Sequence, residues 1–125
     1  MSTSDCEKIA AEFWMGGSTF RVPMSMHAEQ RARVSARLER KGIKSGCVLL
    51  QGAVSTTRDD TDHEPLIRQE SFFQYLFGVK EPDCFAAIDL ATCESLLFIP
   101  RLPRSYQVWM GRVRIAHCLS ISYNC

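Results

Sequence analysis

Three histidines, six cysteines and one acidic run are the residues of this chain best suited to chemistry. His27, His63 and His117 are too far apart for an HxH or HExxH pair, the spacings that present two imidazoles to one metal. Cys6, Cys47, Cys84, Cys93, Cys118 and Cys125 include no CxxC knuckle, so a zinc site is not expected, although distant ligands can converge in space. Arg58-Asp59-Asp60-Thr61-Asp62-His63-Glu64 is the densest run of hard oxygen ligands. It lacks the glycine and the glutamate that a calcium-binding EF-hand loop requires. A solvated acidic loop is the plainer reading and an adventitious cation site the alternative. Serines abound, but no GxSxG elbow activates one. The absence of Walker A and GxGxxG loops removes the usual phosphate and dinucleotide readings. These residues predict neither a catalytic residue nor a metal ligand.

The surrounding composition is that of one ordinary globular domain: 125 residues, 46% hydrophobic and 23% charged. A formal net charge of +1 gives no electrostatic reason to expect nucleic acid or an anionic membrane as partner. Arg31, Arg33, Arg37 and Arg40 cluster, but Glu29 and Glu39 interleave with them, which predicts a solvated helix face. No apolar run approaches the roughly 20 residues needed to span a bilayer. Residues 1–17 show no basic segment followed by an apolar one, so a secretory leader is not expected and a cytoplasmic location is. Cys47, Cys84 and Cys93 lie in or beside apolar segments, where a reduced thiol acts as a small hydrophobe.

The elements that would position any site follow from periodicity. Residues 1–12 are polar and expected to be flexible. Thr19-Phe20-Arg21-Val22 alternates like a short strand before Pro23. A helix is expected over residues 25–41, with Ser25 as N-cap, Arg37, Arg40 and Lys41 in its last turn, and Gly42 as stop. Its apolar stripe is thin, built from Met24, Ala28, Val34 and Leu38. Cys47-Val48-Leu49-Leu50 is a continuous apolar run that predicts a strand buried on both faces. Residues 53–65 read as a loop, Leu66-Ile67-Arg68-Gln69 as a short extended segment, and Ser71 to Phe77 as a helix ended by Gly78. Cys84 to Leu90 and Ser95 to Ile99 are two apolar runs at hairpin distance. The fold class is therefore α/β (mixed α+β), with a central mixed sheet flanked by helices.

Arg68-Gln69-Glu70-Ser71-Phe72-Phe73, continuing through Phe77-Gly78-Val79 and Glu81-Pro82, carries a resemblance. So do Ile88-Asp89, Leu97-Phe98, Pro100-Arg101-Leu102-Pro103 and Trp109-Met110-Gly111. Phe13-Trp14, Gly16, Val22-Pro23, Gln30-Arg31 and Leu50-Gln51-Gly52 fall in the same register. Together they make residues 13–111 resemble the amino-terminal, creatinase/aminopeptidase P-type domain of eukaryotic prolidase, an Xaa-Pro dipeptidase. Residues 112–125 depart from the pattern and are expected to be a divergent tail.

The resemblance implies a domain truncated before the metallopeptidase domain of its parent enzyme. There, two aspartates, a histidine and two glutamates hold two manganese ions, so this chain is expected to bind no cofactor. It implies a homodimeric prolidase subunit as partner, with Xaa-Pro dipeptide met only through the full-length enzyme. Trp109 is implied to reach the partner subunit's active site and help cover the substrate, where an aromatic lid would exclude water and stack on a proline ring. The bland alternative is a core or dimer-interface aromatic. Arg68, Gln69 and Glu70 are read as capping and inter-element hydrogen bonding. Family members usually carry glycine in the turn Ala91-Thr92-Cys93-Glu94, and Cys93 is expected to resist a left-handed conformation there.

Overall fold

The computed structural model describes residues 12–111 and 119–121. The expectations for residues 1–11 and for most of the tail, including Cys6, His117, Cys118 and Cys125, lie outside the described residues. Strands β1 (Glu12–Phe13) and β2 (Val22–Pro23) form a small antiparallel pair. Helix α1 (Met24–Arg40), strand β3 (Cys47–Gln51), helix α2 (Ser71–Phe77) and strands β4 (Phe85–Asp89) and β5 (Ser95–Phe98) follow. A 3-10 turn (Arg104–Tyr106) leads into a single helical turn, α3 (Gln107–Met110), and β6 (Leu119–Ile121) closes the order.

The α/β class holds, with two refinements. The main sheet runs β3-β4-β5-β6, and every pairing among the described strands is antiparallel, in place of the mixed sheet expected. Helices α1 and α2 cover one face of it, and the side chains on that face form the core. Phe73, Leu76 and Phe77 from α2 meet Ala86 and Ile88 from β4 and Leu97 from β5, with Val34, Val48 and Leu50 packed against them. Phe73 and Phe77 stack with centroids 5.6 Å apart, a geometry worth about 0.5–1.5 kcal/mol beyond burial.

The period of two then decides what faces outward. Register places Leu49 beside Ala87 and Leu96, and Phe85 beside Phe98, on the side away from the helices. Among the described strands the run Cys47-Val48-Leu49-Leu50, expected to be buried on both faces, lies at the end of the sheet order, and its residues alternate exposed and half-buried. Cys47 is exposed rather than embedded, whereas Cys84 is fully buried.

Local signals placed the helices well and their caps less well. Helix α1 starts after Pro23, whose extended backbone suits a helix entry, and no side chain caps it, so Ser25 is not the N-cap. Gly42 follows its last residues as expected. The extended segment expected at residues 66–69 pairs with no described strand, and Leu66 is exposed. Cys93 does adopt the left-handed conformation, at φ 58°, against expectation. The turn compensates locally: the Asp89 Oδ1 accepts from the Ala91 and Thr92 amides at 2.8 and 3.3 Å.

Candidate functional site

The segment of residues 68–70 joins three parts of the domain through one side chain. The Gln69 Oε1 accepts the Ala53 amide at 2.6 Å and the Glu70 amide at 3.0 Å. Its Nε2 donates to the Val79 and Glu81 carbonyls at 3.1 and 2.9 Å. All four hydrogen bonds of a primary carboxamide are thus used, tying the end of β3 to the chain on both sides of α2. Gly52 makes the approach possible: a Cβ there would lie 2.9 Å from Gln69 Oε1 and 3.1 Å from the Cys84 carbonyl. Asp83 extends the same junction, its amide donating to the Ala53 carbonyl and its Oδ1 accepting the Ser55 amide.

Glu70 caps α2 by accepting the Phe73 amide at 2.8 Å, satisfying a donor that the helix itself cannot. Gln69 and Glu70 therefore do what the capping reading said. Arg68 is exposed and enters no hydrogen bond or ion pair among the described residues.

At the other end of α2, α1 supplies what the sequence reading missed. The Arg31 Nη1 donates to the Leu76 carbonyl at 2.6 Å, and its guanidinium lies 5.1 Å from the Phe77 ring centroid. His27 donates from Nδ1 to the Tyr75 carbonyl at 2.8 Å, the only direction possible because a carbonyl cannot donate. Two orphan carbonyls of the helix C-terminus are satisfied this way, one of them by a cation where the macrodipole favours it. Arg31 is only 6% exposed, which corrects the solvated-face reading for that residue; Arg33, Arg37 and Arg40 are exposed as expected. Gly78, at φ 67°, sits against the His27 ring, which a Cβ would strike.

The residues considered for chemistry remain scattered. His27 is buried in this clamp and His63 is exposed in the loop. The acidic run folds on itself, the Arg58 amide donating to the His63 carbonyl and the Thr61 amide to the Arg58 carbonyl. Among the described residues no group of three His, Cys, Asp or Glu side chains could hold a metal. Burial, reinforced by the charges of Glu81 and Asp83, pushes the Cys84 thiol above its usual range and away from nucleophilic use.

Trp109 lies on α3, reached by the extended Pro103 and the 3-10 turn, and is 85% exposed beside an equally bare Val108.

A family model described as the aminopeptidase P N-terminal domain matches residues 27–119. The chain belongs to this family. It is 48% identical over 103 residues to the Xaa-Pro dipeptidase of Pongo abelii, covering 81% of this chain and 21% of that protein. The Homo sapiens Xaa-Pro dipeptidase is 46% identical over the same length and coverage. The solved structure of Pseudomonas aeruginosa aminopeptidase PepP superposes with a TM-score of 0.63 at 30% identity, over 74% of this chain and 20% of that one. The aminopeptidase P N-terminal domain described here thus spans about a fifth of the length of the curated relatives it matches. Among the described residues no helix is long and apolar enough to cross a membrane.

Proposed function

We propose that this chain is the non-catalytic amino-terminal domain of a prolidase-type peptidase whose parent enzyme hydrolyses Xaa-Pro dipeptides. Its contribution is to support dimerisation and to cover the active site with Trp109. The observation that carries this reading is the exposure of Trp109 at 85%, on a domain that is 48% identical to a protein named Xaa-Pro dipeptidase. An indole in water does nothing that an alanine would not. Laid over a proline ring in a partner subunit's cleft, it would exclude water from the reacting bond.

Manganese belongs to the parent's other domain in this reading. The described residues offer no ligand cluster that fits it, so no chemical step is assigned to them. The thiols of Cys47 and Cys84, which form no disulfide, suit a cytoplasmic setting. The test is direct. The purified chain, supplied with manganese, is expected to leave glycyl-proline intact. Turnover that persists through repurification in metal-free buffer and re-addition of manganese would place chemistry in this domain and overturn the reading.

A second reading, a free-standing module that pairs with full-length prolidase subunits, is favoured by the several large apolar side chains left exposed, Val108 and Trp109 among them. Co-purification of this chain with full-length enzyme would support it. A chain that stays separate from added enzyme would count against it.

A further inference from the structure

We propose that Gly111 is a positioning residue for Trp109: it ends α3 in a backbone conformation closed to other residues, so that the helix stops before a further turn can lay side chains on the indole. The inference rests on the reading of Trp109 as the cover of a partner subunit's active site, a role that needs the indole bare until it meets substrate.

Backbone geometry carries it. Helix α3 is a single turn, closed by the Gly111 amide donating to the Gln107 carbonyl at 3.1 Å. Gly111 then takes φ 73° and ψ −153°. That is close to the mirror image of polyproline backbone, a region populated essentially by glycine alone. Gly78, which ends α2, differs: its φ 67° and ψ 14° make the ordinary left-handed cap, open also to asparagine.

Space is not the reason for the glycine at 111. A Cβ there would meet no atom within 4 Å, whereas at Gly78 it strikes the His27 ring. The residue is required by its dihedral angles alone, and those angles decide where the chain goes next.

The sequence beyond gives this stop its consequence. Residues 112–125 contain neither glycine nor proline, so Gly111 is the last strong helix breaker of the chain. Arg112 and Val113 stand three and four positions after Trp109. In a helix running on through 111, those two would share the tryptophan's face. Arginine lies readily on an aromatic ring, as Arg21 does over Trp14, 4.4 Å from the ring centroid. Alanine at 111, the best helix former, would favour that continuation.

The test uses the full chain with Trp14→Phe, which leaves Trp109 as its one tryptophan. Acrylamide should quench its fluorescence freely, and Gly111→Ala should lower the quenching constant about two-fold, because cover on one face of the indole removes half its collisions. Gly17→Ala, at a glycine with equal free space and no positive φ, should leave it unchanged. A second variant guards against misfolding. Adding Arg112→Pro to Gly111→Ala keeps position 111 out of helical backbone and should restore the quenching. Quenching that Gly111→Ala leaves unchanged, or that Arg112→Pro fails to restore, overturns the proposal whatever the parent enzyme does. The covering role fails separately: altered quenching, beside a parent enzyme indifferent to loss of the Trp109 indole, would uphold the action of Gly111 on Trp109 and overturn only that role.

Discussion

Arg31 and His27 close the C-terminal end of α2 as a side-chain cap supplied by another helix, with donors placed on carbonyls that would otherwise be buried and unsatisfied. Arg31→Ala should lower the unfolding free energy by about 1–3 kcal/mol, because it strands the Leu76 carbonyl and uncovers the Phe77 ring. Urea unfolding checks it, with a lower midpoint and an unchanged slope. Gly78→Ala should cost a similar amount, about 1–3 kcal/mol, through its left-handed backbone and the collision with His27. Cys84 sets a pH dependence whose sign is fixed. Its folded thiol is held above the ordinary value, so the unfolded chain gives up that proton first as pH rises. The stability it contributes is complete below the ordinary thiol value of 9.0 and is lost as pH climbs through and beyond it. Urea titrations at neutral and at alkaline pH should show this loss, and Cys84→Ala should flatten it. The clamp was legible in one respect. Helix α1 itself was expected, but its stripe was read from Met24, Ala28, Val34 and Leu38, and Arg31 was placed on a solvated face because only the structure shows the carbonyl it meets.

Secondary elements whose signals were local came out of the sequence cleanly. The period of Phe72, Phe73, Leu76 and Phe77 followed by Gly78 marks α2, and two apolar runs around a polar turn mark β4 and β5. What failed depended on neighbours. Whether Cys47 to Leu50 is a central or an edge strand is decided by what lies beside it, which composition does not carry. The β1–β2 pair was half visible, and Lys80, 4.1 Å over the Phe13 ring, holds it to the loop after α2 through a contact that no periodicity announces. Gln69 is the fastener of this level. Gln69→Leu keeps the volume but strands two carbonyls and two amides, so a loss of about 2–4 kcal/mol is expected, read as a fall in melting temperature. Amide exchange should show the loss concentrated where β3 ends and α2 begins.

The described residues form a small sheet with helices on one face, exposed Leu49, Phe85 and Phe98 on the other, and an exposed tryptophan on a strap at its end. The family was legible from spaced identities and the fold class from periodicity. Trp109 as the candidate site came from resemblance alone, since one exposed aromatic in a short helix leaves no pattern in the sequence. The most direct measurement of the proposed role is a chimera. Residues 12–111 of this chain would replace the matching segment of the Homo sapiens Xaa-Pro dipeptidase, and kcat/KM for glycyl-proline would be measured with and without Trp109→Ala. We expect the chimera to retain activity and Trp109→Ala to reduce kcat/KM by about ten-fold or more, with the dimer and its melting temperature unchanged. A folded, dimeric chimera whose kcat/KM is indifferent to Trp109→Ala would contradict the covering role.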